Sequence, residues 1–442
     1  MGNSNGLQVL LAVAAGIGAN FVAAAYFPFP VRQPIVRCNH YDQYSRRLHF
    51  GTLLHSQRQV IRESDTSSDY KSRYEQRVAV LLPSLFEADN YGDSKSQNDA
   101  IQHLRQLATK LKLSVVSLDD QSRDVSSYTH LLTAVQCPST NTYAIAIHAN
   151  PPSSKKKSRD KKQMKLKLDP IFVDLCPSSD TRLGYRMNLV TSNKNELLLK
   201  ALGKVISSDK QKQLVIYDLT AGLARDSMIM LSSLTSGIDF EASTIPPLRL
   251  HMVERDPLVA SLLADAMRRL DILANNFSLP NSNEVNTATI LAKCLSMEEN
   301  DALSVLERLA GKTSTESVPY PPDIVYLDPM FPPRKKKASS VKKDMAMLHS
   351  LLGTVTTIIE DKERNFEVER IRLETEQKLL EAACQAALKR VVVKRPVNSL
   401  PLGFSGDHDS DNTFRTPSFD IRGNINRWDV YYSAASRPRE NK

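Results

Sequence analysis

Cysteine is scarce and poorly placed for cross-linking. The 442 residues contain five, Cys38, Cys137, Cys176, Cys294 and Cys384, an odd number, widely spaced and without a C-x-x-C pair. No disulfide framework follows from that pattern and no zinc spacing, so the thiols are read as reduced and no metal is expected. Charged side chains are absent from the amino terminus: the first is Arg32, and Leu7 to Phe29 is largely apolar. A simple mitochondrial presequence, which carries arginines on an amphipathic helix at the very start, is disfavoured by this lack. Met1-Gly2-Asn3-Ser4-Asn5-Gly6 lacks the Ser or Thr that myristoylation wants at its sixth position.

What the amino terminus does contain is a signal sequence or signal anchor pattern. Ala23-Ala24-Ala25 offers the small residues of a cleavage site, and Phe27-Pro28-Phe29-Pro30 ends any helix just beyond. Cleavage is the favoured outcome. Between Val31 and Tyr70 come six arginines against four acidic residues, a composition that resembles a transit peptide behind a signal peptide. The expected destination is an organelle, a plastid ahead of a mitochondrion. Membrane anchoring through residues 7–29 is the alternative, and membrane contact is expected only there.

With 41% hydrophobic and 24% charged residues, the chain can bury a sizeable core and is not a disordered protein. A net charge of +9, from 58 Lys and Arg against 49 Asp and Glu, favours a polyanionic partner without proving one. The pattern divides into a hydrophobic segment (1–30), a transit-like linker (31–75), a small α+β domain (76–150), a basic linker (151–168), a larger α/β domain (169–435) and a tail (436–442). In the larger domain strand-like runs alternate with helix-like ones, which calls for a mostly parallel sheet with helices on both faces. Expected strands are Leu214 to Tyr217, Leu248 to Val253, Thr287 to Leu291, Ile324 to Leu327, Arg390 to Val393 and Trp428 to Tyr432. Helices are expected over Arg225 to Leu234, Pro257 to Leu270 and about Asn365 to Leu388.

Chemistry concentrates where three of these strands end. Asp218-Leu219-Thr220-Ala221-Gly222 follows a buried strand and leads into a helix near Arg225-Asp226. A small-residue turn there lets backbone N–H groups approach a charged ligand. Glu254 ends the next strand, where an acid can accept both hydroxyls of a ribose; Asp256-Pro257 already supplies the cap of the following helix. Asp328-Pro329-Met330-Phe331-Pro332 ends the fourth. It is similar to the D/N-P-P-Y/F signature of methyltransferases acting on exocyclic amines of bases, with Met330 in place of a proline. Asp328 and the Pro329 carbonyl can accept from a target amine, and Phe331 can stack on an extruded base. Arg334, Lys335, Lys336, Lys342 and Lys343 follow, and Lys394 and Arg395 lie further on. Both clusters are expected at one mouth as phosphate contacts.

Taken in order, these blocks resemble the bacterial small-subunit ribosomal RNA guanine-N2 methyltransferases of the RsmJ type. Asp218 to Asp226 is similar to that family's D-A-T-A-G-L-G-R-D, and Glu254 to Pro257 to its E-R-N-P. Asp328 to Pro332, with Val341-Lys342-Lys343, is similar to its D-P-M-F-P and V-K-K. Lys389 to Pro396 matches its K-R-V-V-V-K-R-P. The resemblance covers roughly Val78 to Tyr432. It implies a Rossmann-like class I methyltransferase that uses S-adenosylmethionine to methylate N2 of a guanosine in small-subunit ribosomal RNA, free or in its assembling particle. Arg225, Asp226, Glu254, Arg255 and Asp328 match the family's cofactor contacts, beside Asp218 and Gly222 of the turn. The chain departs from the pattern at Ala224, where the family has a second glycine. It departs again at Thr191-Ser192-Asn193-Lys194-Asn195, which replaces a glycine-rich stretch, and at Lys293-Cys294, aligned with a Ser-Ser pair after the third strand. Two rivals stay open: the same fold acting on another nucleic-acid or protein amine, and a catalytically silent RNA-binding relative.

Overall fold

The computed structural model describes residues 74–82, 94–117, 125–150, 170–192, 196–203, 213–235, 246–275, 283–311, 320–329, 347–351, 362–404 and 415–433, less the single positions 76, 139, 141, 247 and 349. The leader, the basic run at 155–162 and the segment 330–346 lie outside the described residues. The first described part is β1 (Val78–Leu82), α1 (Ser94–Leu111), β2 (Ser114–Ser117), β3 (His130–Gln136) and β4 (Tyr143–Ala149). They form a four-stranded sheet in the order β2-β1-β3-β4, parallel except for the β3–β4 pair. After it come α2 (Arg182–Ser192), α3 (Leu197–Leu202), β5 (Leu214–Asp218), α4 (Arg225–Thr235), β6 (Leu248–Glu254), α5 (Pro257–Ala274), α6 (Asn283–Cys294), β7 (Leu295–Glu299), α7 (Ala302–Leu309), β8 (Ile324–Leu327), α8 (Lys362–Ala386), β9 (Arg390–Pro396), β10 (Phe419–Arg422) and β11 (Asn426–Tyr432).

The second sheet has seven strands in the order β10-β11-β9-β8-β5-β6-β7, with β11 antiparallel to both β10 and β9 and the other neighbours parallel. β5 is buried along its whole length, which is why it reads as an unbroken apolar run. Its side chains alternate between two cores. Leu214 and Ile216 face α4, α5 and α6, whereas Val215 and Tyr217 face α7 and α8. Because β5 and β8 are adjacent in the sheet but distant in sequence, the order reverses between them, and their carboxyl ends form the crevice where such sheets bind ligands.

The third strand of this sheet is not Thr287 to Leu291, which lies inside α6, but β7 at Leu295–Glu299. The β-branched Thr287, Thr289 and Ile290 suggested a strand, but α6 packs along α5 and buries Ala288, Leu291 and Cys294 at helical spacing. β7 is an edge strand with only Leu295 buried, so no apolar run announces it. Lys293-Cys294 therefore precede the strand; Asn300-Asp301 follow it. Asp256 caps α5 as its sequence suggests: its Oδ1 accepts from the N–H groups of Leu258 and Val259 at 3.0 and 3.1 Å, and Pro257 opens the helix.

The four-stranded sheet shares a core with the larger one. Val78, Val80, Leu104, Leu132 and Ile147 belong to the same apolar cluster as Leu262, Leu263 and Leu270 of α5. A polar clamp crosses the contact. Asp265 of α5 accepts from the Ile145 N–H at 3.0 Å and pairs with Arg268 and Arg269, both at 2.9 Å, while Arg269 also donates to the Val173 carbonyl.

Candidate active site

β5 delivers its chain into the turn 219–224, and neighbouring strands fasten that turn from both sides. The Leu219 N–H donates to the Tyr326 carbonyl at 3.1 Å, and the Ala221 N–H donates to that of Val253 at 3.0 Å. Asp218 holds it from beneath. Its Oδ1 accepts from the Thr220 N–H at 3.2 Å and its Oδ2 from the Ser227 hydroxyl at 2.5 Å. Burial pushes this carboxyl up to about 7, opposed by those hydrogen bonds and assisted by repulsion from Asp226 and Asp328. Asp218, expected among the cofactor contacts, is buried behind the turn and braces it through the Ser227 hydroxyl and the Thr220 amide.

Two residues of the turn have left-handed backbones, Gly222 with φ +53° and Ala224 with φ +56°. Above Gly222 the space is open: an added Cβ would come no nearer than 4.0 Å to the Thr220 carbonyl oxygen. Ala224 takes the conformation that a second glycine would adopt without strain, and its N–H donates to the Ala221 carbonyl at 2.8 Å. Close approach of the backbone is therefore kept, at the cost of one strained residue. Ala224→Gly is expected to raise stability by about 0.5–1 kcal/mol after glycine's greater unfolded-state entropy is subtracted. Urea unfolding would show a higher midpoint at unchanged m-value; a lower midpoint would mean that the buried methyl contributes more than the strain costs.

Glu254, half-buried at the end of β6, ties the first turn to the second. Its Oε2 accepts from the Gly222 N–H and its Oε1 from the Asp256 N–H, each at 2.9 Å. Burial raises its pKa, and those two backbone bonds together with Arg255 oppose the rise. Each oxygen keeps a further lone pair for a ribose hydroxyl. Arg225 is half-buried at the start of α4, and Arg255 is exposed just past β6.

The loop after β8 lies on the same turn, since the Asp328 N–H donates to Thr220 Oγ1 at 2.6 Å. Asp328 is partly exposed, and its Oδ2 lies 2.7 Å from Lys394 Nζ. The same Nζ lies 2.7 Å from Asp226 Oδ2, which also accepts from the Tyr326 hydroxyl at 2.6 Å. Asp328 Oδ1 has no partner among the described residues. Burial raises the Asp328 carboxyl to about 6, with Lys394 pulling it down and Asp226 pushing it up. At Asp226 burial also raises the pKa, but the Lys394 charge wins and holds it below the ordinary value. Burial opposes the charge on Lys394, yet the two carboxylates lift its pKa above that of a free lysine. Tyr326, buried among three carboxylates, has its phenol raised well above normal and stays a donor.

Lys394 and Arg395, expected together as phosphate contacts, have different surroundings. β9 continues to Pro396, so both lie within the strand, where alternation sends them to opposite faces. Lys394 enters the site. Arg395, with 6% of its side chain exposed, donates from Nε to the Leu400 carbonyl at 3.1 Å and lies 3.8 Å from Glu376 of α8. Pro329 is half-buried beside Asp328. Phe331 and the expected RNA contacts Arg334, Lys335, Lys336, Lys342 and Lys343 lie outside the described residues.

The chain is similar in sequence to known proteins. A family model described as "Putative SAM-dependent methyltransferase" matches residues 131–360, about half of the chain. Ribosomal RNA small subunit methyltransferase J of Thioalkalivibrio sulfidiphilus is 32% identical over 264 residues, spanning 59% of this chain and 76% of the relative. The protein of that name from Vibrio parahaemolyticus is 31% identical over 271 residues, 61% and 80% of the two chains. The chain belongs to this family of S-adenosylmethionine-dependent methyltransferases. Among solved structures, a SAM-dependent methyltransferase from Neisseria gonorrhoeae overlaps 81% of this chain and 98% of its own, with a TM-score of 0.40 and 19% identity.

The family's cofactor is S-adenosylmethionine, and the residues present suit it. The open space over Gly222, the Glu254 carboxylate beside it and the exposed edge of Asp328 all border one turn. Sequence reasoning missed Thr220, Ser227 and Tyr326. The family motif contains the threonine, but nothing in the linear order links Thr220 to Asp328 or Tyr326 to Asp226, each about a hundred residues away.

Proposed function

We propose that this methyltransferase modifies N2 of a guanosine in small-subunit ribosomal RNA. The observation that carries the reading is Asp328, bound to the cofactor turn through Thr220 and with Oδ1 left to accept a hydrogen bond. A guanine amino group has its lone pair delocalised into the ring and needs close placement as well as an acceptor for its N–H groups. S-adenosylmethionine, when bound, supplies a methyl group on a sulfonium sulfur. The chain holds the target amine against Asp328, which accepts an N–H hydrogen bond and takes the proton released as the nitrogen–carbon bond forms and the carbon–sulfur bond breaks. The names of the relatives support ribosomal RNA as substrate. Protein incubated with radiolabelled cofactor and unmodified small-subunit RNA is expected to label guanosine N2. Confirmed cofactor binding without RNA labelling would refute the activity.

The place of action in this proposal is an organelle, a plastid first, because of the signal-like and transit-like composition of residues 1–75. A fluorescent protein carrying those residues is expected to enter that organelle. Retention in a surface or reticular membrane would favour the anchor instead.

A further inference from the structure

We infer that Lys394 is a positioning residue for methyl transfer, holding one oxygen of Asp328 so that the other meets the target amine. The inference rests on the guanosine reading of the Asp328 loop. β8 and β9 pair with Leu327 opposite Val393, so the parallel register sets Lys394 beside Asp328 where β8 ends. The ammonium group bridges Asp328 Oδ2 and Asp226 Oδ2 at 2.7 Å each. Asp226 is in the first turn of α4, immediately behind the cofactor turn, and Asp328 belongs to the target loop. One cation thus couples the helix behind the cofactor to the acceptor of the amine.

Every charged element around the bridge matters to its electrostatics. Asp328 faces Lys394 from β9, Asp226 from α4 and Asp218 from the end of β5, with the Tyr326 phenol from β8 on Asp226. Arg186 of α2 adds positive charge near Asp226 and is itself paired with Glu196 at 2.9 Å. Lys394 is the cation that contacts Asp328 directly among the described residues. Without it, burial and Asp226 both favour a protonated Asp328, which cannot take the proton from the amine.

The test is the pH profile of methyl transfer to unmodified small-subunit RNA by the full chain, as parent, Lys394→Met and Lys394→Arg. In the parent, transfer is expected to fall as pH drops through about 6, where Asp328 protonates. In Lys394→Met that limb is expected to move up by about 1–3 pH units, the usual effect of losing an adjacent opposite charge. Transfer at pH 6.5 should then fall by about threefold for a shift of one unit and by more than about a hundredfold for three, and recover towards the parent value at pH 9. Lys394→Arg, which keeps the charge, should leave the limb where it is and lower kcat. A uniform loss across pH in Lys394→Met, or no loss, overturns the inference while leaving the guanosine reading intact. An inactive parent overturns both. If Lys394→Met fails to fold, Lys394→Gln, which keeps a polar side chain, gives the same comparison against Lys394→Arg.

Discussion

Asp328→Ala is expected to lower methyl transfer by about 10²–10⁴-fold, the range over which a positioned proton acceptor accelerates reactions. The substitution removes the carboxylate that faces the amine but spares the turn beneath it, because Thr220 is held through the Asp328 main-chain N–H rather than its side chain. Gly222 and Glu254 stay bonded to each other, so the affinity for S-adenosylmethionine is expected to fall far less than transfer does. Lys394 keeps Asp226 as its partner, and a third of the Asp328 side chain is already exposed, so the fold should survive. The measurements are single-turnover transfer, calorimetric titration with the cofactor and a melting curve. Unchanged turnover would remove Asp328 from the chemistry; lost cofactor binding would move it into the cofactor site.

Asp265→Ala is expected to cost about 3–5 kcal/mol. Asp265 and Arg269 have side chains 1% and 2% exposed, so removing the carboxylate leaves a guanidinium buried without its counter-charge. The Ile145 N–H of β4 loses its side-chain acceptor at the same time. Because α5 belongs to the larger sheet and β4 to the smaller one, the damage falls on the contact between them. Urea unfolding should show either a midpoint lowered to match or separate transitions for the two parts. A loss below about 1 kcal/mol would mean that Arg269 is satisfied by the Val173 carbonyl alone.

Much of the fold could be read along the chain. β5, β8 and β9 hold apolar runs of strand length, β6 alternates, and the cap and proline opening α5 were evident at Asp256-Pro257. The strand-end positions of Glu254 and Asp328 followed directly, because a buried parallel strand must end in a turn and the turn carries the polar residues. β7 was harder. An edge strand of composition LSMEE has no apolar signature, while the preceding helix carries β-branched residues.

The sequence by itself determined the α/β class, the three strand ends that make the site and the family resemblance, all properties of local residue order and periodicity. Only the tertiary structure decided what Lys394, Arg395, Asp218 and Asp265 do. Lys394 and Arg395 are adjacent cations that looked equivalent, yet strand alternation sends one to two carboxylates and the other beneath α8. Asp218 is buried, and its bonds to Ser227 and Thr220 brace the turn. Asp265 has no sequence signal of its role, because the β4 amide that it accepts from lies 120 residues away. In each case the cause is the same: the energy of a buried charge depends on partners brought by sheet order and packing, which the order of residues along the chain does not specify.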